Sequence, residues 1–236
     1  MKRTIAIILV AVLSAVMMAS AVFADEELPS FVLDKAQTEA GTLSENYSFV
    51  VIDKASGEVK PMVFKGTGTD FNPGRNIYLF ENAEGSIWDY AYCFIHQTTT
   101  GCTMHPASNG DPAVCFTAPK SGSIEINYVI FGGQTTRLEF YKNIYSADTK
   151  FDEHVCASPE SGTDFKATID VKKGDKIYIA LDCIDDNAND ETNAWVNSIV
   201  YTAVNPDTAD SLVISAVAAS VAMIGLGAVV ARRKEH

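Results

Sequence analysis

A period-two alternation of apolar and polar residues governs the middle of this 236-residue chain. Ile124, Ile126, Tyr128 and Ile130 alternate with Ser123, Glu125, Asn127 and Val129. Leu138 and Phe140 alternate with Arg137, Glu139 and Tyr141. Phe165, Ala167, Ile169 and Val171 share one parity, as do Ile177, Ile179 and Leu181. That period sets one face of an extended strand against a core and leaves the other in water. Phe49–Ile52 reads as a strand, Lys54–Gly57 as a turn and Val59–Phe64 as the return strand of a hairpin. Gly66–Gly74 is a turn-rich loop, Lys173-Gly174-Asp175 a hairpin turn, and Asn193–Ala203 a closing strand. No stretch of 47–204 sustains a 3.6-residue apolar period. Many short antiparallel strands separated by turns predict an all-β fold, an antiparallel β-sandwich or jelly roll over 47–203, with 25–46 as a polar lead-in.

Charge and hydropathy occupy different parts of the chain. The formal net charge is −12, yet mean hydropathy is +0.06. Residues 5–24 and 211–231 carry no charge at all. With Lys2, Arg3, Asp210, Arg232, Arg233, Lys234 and Glu235 set aside, 25–208 holds 13 basic and 28 acidic residues, a net charge of −15. That balance argues against a nucleic-acid partner, which requires a basic footprint. Plentiful aromatic and β-branched residues argue against disorder, and the segment is long enough for one good core.

The two apolar ends read as addresses. Lys2 and Arg3 precede an apolar run, and Val22-Phe23-Ala24 puts small residues before Asp25, so 1–24 has the form of a secretory signal helix cut after Ala24. Residues 211–231 would extend about 31 Å as a helix, enough to cross a bilayer. The basic 232–236 tail should stay cytoplasmic, which holds the middle outside the cell. Within the 204–210 linker, Asn205-Pro206-Asp207-Thr208-Ala209 precedes that run. This Pro-x-Thr core, apolar span and basic tail resemble the sorting signal of cell-wall-anchored proteins of Gram-positive bacteria. The resemblance implies a sortase-type transpeptidase as partner, cutting after Thr208 and joining it to cell-wall peptide; the alternative is a plain single-pass membrane anchor. Asn205 stands where Leu is usual, and Ala209 where Gly is usual.

A second resemblance runs through roughly 60–203. Met104-His105-Pro106, Ala113–Gly122, Leu138–Asn143, Val171–Tyr178, Asp182 and Asn187–Trp195 follow one another. The string is similar to the jelly-roll modules, related to carbohydrate-binding modules, of secreted bacterial proteins. It implies a non-catalytic binding module without implying a particular ligand.

Catalytic signatures are missing: there is no G-x-S-x-G, H-E-x-x-H, Walker or dinucleotide motif. His96, His105, His154 and His236 show no metal-ligand spacing. Asp182, Asp185, Asp186, Asn187 and Asp190 form the densest oxygen cluster, the kind that could hold a structural Ca²⁺, though not in an EF-hand pattern. Sugars stack on aromatic faces rimmed by amides and carboxylates. Tyr90, Tyr92, Tyr145 and Trp195 are the candidates. In a strand, Trp88, Tyr90 and Tyr92 would share one side, either a ligand stripe or a core face, with Trp88 the most core-like. Trp195 closes the acidic loop, where it could instead pack on the sheet. Five cysteines permit at most two bridges in an exported domain. Cys93–Cys102 is the first expectation and Cys156–Cys183 the second, with Cys115 a buried apolar residue.

These features predict an exported, surface-anchored, non-enzymatic binding or adhesion protein directed at a polysaccharide. A structural, pilin-like protein of the cell envelope is the alternative, and a surface polysaccharide hydrolase is a weaker third.

Overall fold

The computed structural model describes residues 27–66, 76–98, 101–133, 136–156, 163–184 and 192–204. The leader, the 205–209 sorting motif and the apolar run 211–231 lie outside them. Fourteen strands occupy the described residues: β1 (Ser30–Val32), β2 (Tyr47–Asp53), β3 (Val59–Pro61), β4 (Val63–Gly66), β5 (Ile77–Leu79), β6 (Phe94–Thr98) and β7 (Gly101–His105), followed by β8 (Gly110–Thr117), β9 (Gly122–Gly133), β10 (Thr136–Lys142), β11 (Lys150–Cys156), β12 (Thr163–Val171), β13 (Lys176–Cys183) and β14 (Thr192–Val204). They form two antiparallel sheets. The first runs β12-β9-β14-β7-β6-β5-β4, with β1 also on β14; the second runs β11-β10-β13-β8-β2-β3. The all-β sandwich expected from the alternation is present.

The core is where the two alternating faces meet. Phe49, Phe116, Leu138, Phe140 and Ile179 from the second sheet pack against Ile124, Ile126, Ile130, Ile199 and Tyr201 from the first. Each large side chain buried this way stabilises the fold by roughly 1.5–3 kcal/mol. The chain crosses repeatedly between sheets after β8, which is how strands adjacent in sequence end up on opposite layers.

Two local expectations change for that reason. The 172–175 turn is tight, with Asp175 N–H donating to Lys172 O at 2.9 Å and Gly174 at a left-handed φ of 88°. It nevertheless joins β12 of one sheet to β13 of the other, so it is an arch and not a hairpin. The return strand after Lys54–Gly57 likewise divides at Met62. Its first part, β3, pairs with β2, and its second part, β4, pairs with β5 in the other sheet.

The lead-in carries structure of its own. β1 adds to β14, pairing Ser30 with Val200. Asp34 caps a short helix, α1 (Lys35–Glu39), by accepting from Gln37 N–H at 2.7 Å. Residues Pro29–Val204 form one compact unit.

Candidate ligand-binding surface

Between β5 and β6 the chain makes a short 3-10 turn at Trp88–Tyr90 instead of a strand. Strand parity therefore does not govern this segment. Tyr90 turns inward and is 5% exposed. Its hydroxyl donates to Asp53 Oδ2 at 2.8 Å, its ring meets Phe80 edge-on at 5.3 Å, and Lys60 Nζ sits 5.1 Å from its centroid. Trp88 and Tyr92, on either side of this anchor, are 57% and 51% exposed.

The turn is held from several sides. Asn82 Oδ1 accepts from Ser86 N–H at 2.8 Å and from Glu84 N–H at 3.1 Å, while its amide donates to Asp89 Oδ2 at 3.1 Å. Asn109 donates to the Asp89 carbonyl at 2.8 Å. Gly110 leaves room for the anchor: a Cβ there would lie 2.6 Å from Tyr90 Cδ1 and 2.8 Å from Val51 Cγ2. Tyr92 has φ 67°. A bulky side chain in the left-handed region is strained and persists only where its surroundings hold it. Trp88 and Tyr92 thus stand exposed on either side of a turn pinned by Tyr90, Asn82 and Asn109.

A charged lattice lies next to this turn, on the outer face of the second sheet. Lys54 follows Asp53 directly, and its ammonium reaches Asp182 Oδ1 at 2.7 Å and Asp111 Oδ1 at 3.4 Å. Arg137 holds Asp182 Oδ2 at 2.8 Å and Glu139 Oε1 at 2.7 Å. Lys150 holds the same Glu139 oxygen at 3.1 Å, and Tyr141 donates to the other. Burial pushes the fully covered Asp111 carboxyl up to about 7, with Lys54 pulling it partway back. The lattice pairs its charges internally and fixes the strand ends beneath the turn.

The same geometry engages several other candidates in internal contacts. Tyr145 spends its hydroxyl on Asp111 Oδ2 at 2.8 Å and its ring on Tyr141, 4.5 Å between centroids. Trp195 is 3% exposed, with Lys35 of α1 5.7 Å from its ring. Three register shifts in β14 break simple alternation there, and Ala194, Trp195 and Val196 are all buried in succession. Of the four predicted aromatics, Tyr92 alone is more than half exposed. Trp88, expected in the core, joins it. No periodicity could have signalled this, because the segment is not a strand.

The expected disulfides are corrected by register. Cys93 is a buried thiol. It precedes β6, whereas Cys102 pairs with Gln97 at the other end of the same hairpin. A disulfide needs Cα atoms within roughly 7 Å. Cys156 and Cys183 both pair with Thr136, from opposite sides. A whole strand therefore separates those two thiols. Of the acidic loop, Asp182 is described and gives both oxygens to Lys54 and Arg137. Asp185, Asp186, Asn187 and Asp190 lie outside the described residues.

No described histidine is set as a base beside a nucleophile. His96 and His105 each place Nδ1 3.0 Å from a backbone carbonyl, and His154 packs on Phe165 at 4.0 Å. Burial pushes the Cys93, Cys115 and Cys183 thiols up, away from the reactive thiolate.

No family model matches the chain, and no curated protein matches it. Similar solved structures include a cleaved adhesin domain of Lys-gingipain from Porphyromonas gingivalis, at 13% identity over 74% of this chain and 97% of that one, with a TM-score of 0.35. A family 29 carbohydrate-binding module complexed with cellulohexaose is 16% identical over 75% and 94%, with a TM-score of 0.34. A family 35 carbohydrate-binding module from Cellvibrio japonicus is 13% identical over 67% and 95%, with a TM-score of 0.33.

Proposed function

We propose that this chain is an exported, surface-retained binding protein without a catalytic role, and that its sandwich presents Trp88 and Tyr92 to a polysaccharide. One observation carries the reading: two aromatic rings, each more than half exposed, flank a turn whose central Tyr90 is locked beneath them. An aromatic face complements the apolar C–H face of a sugar ring, and neighbouring amides and carboxylates complement its hydroxyls. Asn82, Asp89 and Asn109, which hold the turn, are the neighbouring amides and carboxylate. Export follows from the leader-like 1–24. Retention follows from 205–236, read as a sorting signal and anchor, with a sortase-type transpeptidase and the cell wall as partners.

The test is a polysaccharide panel probed with the 25–208 fragment and with its Trp88→Ala variant. Binding that the variant loses is the expected result. A fragment that retains no polysaccharide would instead favour a structural or scaffold role in the envelope. Mass spectrometry of cell-wall digests checks retention separately, since sorting requires a new C-terminus at Thr208.

A further inference from the structure

Two buried cysteines converge on the backbone of one residue, Ala107. Cys93 stands immediately before β6, and Phe94 pairs with His105, so Cys93 lies level with Pro106. Cys183 ends β13, in which Ala180 pairs with Ala113 of β8. Continued along the two antiparallel strands, that register sets Cys183 level with Gly110. Ala107 and Gly110 pair with each other across the turn between β7 and β8. The side chains follow the backbone. The Cys183 thiol lies 4.0 Å from the Ala107 carbonyl oxygen, and the backbone of the same Ala107 hydrogen-bonds the Cys93 sulfur. Both side chains are buried. Cys115 points to the opposite, outer cluster of the second sheet, and Cys156 is held across from Thr136.

We infer that Cys93 and Cys183 are a disulfide-forming pair, whose oxidation clasps the two sheets together at the end that carries Trp88 and Tyr92. β6 belongs to one sheet and β13 to the other, so no backbone ladder joins them. The co-reactant is a small-molecule or protein disulfide. One cysteine thiolate attacks it, forming a mixed disulfide and releasing one thiol. The second thiolate then attacks the protein sulfur of that mixed disulfide and releases the other thiol. The two cysteines lose two protons and two electrons, and the donor disulfide gains them as two thiols. Lys54 Nζ, 3.6 Å from Cys183 Sγ, places positive charge beside one sulfur, a setting that favours thiolate. Burial opposes this in the closed domain and pushes both thiols up. Exchange therefore belongs to the opened or folding chain, and the finished bond is shielded from reductant.

In the cell the oxidant would depend on the export proposed above, but oxidised glutathione supplies it in the test, so failure here leaves export and glycan binding untouched. The full chain is incubated with oxidised glutathione in mild denaturant, refolded, then unfolded with N-ethylmaleimide and weighed. The expected product has lost about 2 Da, for two hydrogens, and takes label on three of its five cysteines. Its peptide map joins Cys93 to Cys183, and its Tm falls on reduction. The Cys183→Ser chain treated the same way takes label on all of its remaining cysteines. Five labels on the wild-type chain, or a bridge from Cys93 to any other cysteine, overturns the assignment.

Discussion

Tyr145 donates its hydroxyl to Asp111 Oδ2 at 2.8 Å, from a loop that leaves β10 and reaches over β13 to β8. The row beneath is built for it: Ala113 and Ala180 pair opposite each other, both fully buried and both small. Tyr145 packs on that cluster, with its ring on Tyr141. It covers the small residues of that cluster. Tyr145→Phe should lower stability by about 1–3 kcal/mol, the cost of leaving a buried carboxylate oxygen short of a donor. A urea midpoint identical to wild type would show that the bond contributes nothing.

Asp111 also gives stability a pH dependence of definite sign. Its carboxyl titrates near 3.8 in the unfolded chain and near 7 in the folded one, because burial disfavours its charged form. Between those values the folded state binds more protons than the unfolded state. Asp111 therefore subtracts stability as pH rises from about 4 to about 7, and above 7 its effect is constant. The difference in unfolding free energy between wild type and Asp111→Asn should change across that window and be flat beyond it. A difference that stays level from pH 4 to 7 would contradict the assignment.

Exposed and buried tryptophans should part company. Trp88→Ala should shift stability by no more than about 0.5 kcal/mol, as at most exposed sites, while removing polysaccharide binding. Trp195→Ala should cost about 3–5 kcal/mol, the usual price of emptying an aromatic site in a core. Thermal melts and a binding titration on the two variants distinguish these effects.

Tyr92 trades backbone ease for ring placement. Its φ of 67° costs an L-residue about 1–2 kcal/mol that glycine does not feel. Part of that is offset by the greater chain entropy glycine loses on folding. Tyr92→Gly should raise stability by up to about 1 kcal/mol and weaken binding. A variant less stable than wild type would mean that the ring, not the backbone, dominates at this position.

Gly110 tests whether the aromatic pair depends on its support. A methyl group there collides with Tyr90 and Val51, so Gly110→Ala should cost about 1–3 kcal/mol by overpacking. It should also weaken binding by displacing the anchor of Trp88 and Tyr92, although neither ring is altered. Unchanged affinity in a folded Gly110→Ala chain would separate the turn from the binding surface.

Much of the sandwich was legible residue by residue. The alternation of Ile124 through Ile130, and of Ile177 through Leu181, marks a core face without reference to any partner, since a strand's side-chain period is local. The binding surface was not legible in that way. Trp88, Tyr90 and Tyr92 share a side only if they form a strand, and the 3-10 turn sends Tyr90 in and the other two out. The register shifts in β14 likewise bury Trp195, where alternation and composition left it open. Cysteine pairing depends on which strands lie side by side, and spacing along the chain pointed to Cys102 where register points away from it.

By itself, then, the sequence determined the class of fold, the acidic charge of the middle and the apolar character of both ends, because periodicity and composition are properties of neighbouring residues. Only the tertiary structure decided which aromatics face outward, how Lys54, Asp111, Asp182 and Arg137 pair, and which thiols meet at Ala107. Those relations join residues far apart in sequence, and burial and register, which create them, exist only once the two sheets have packed.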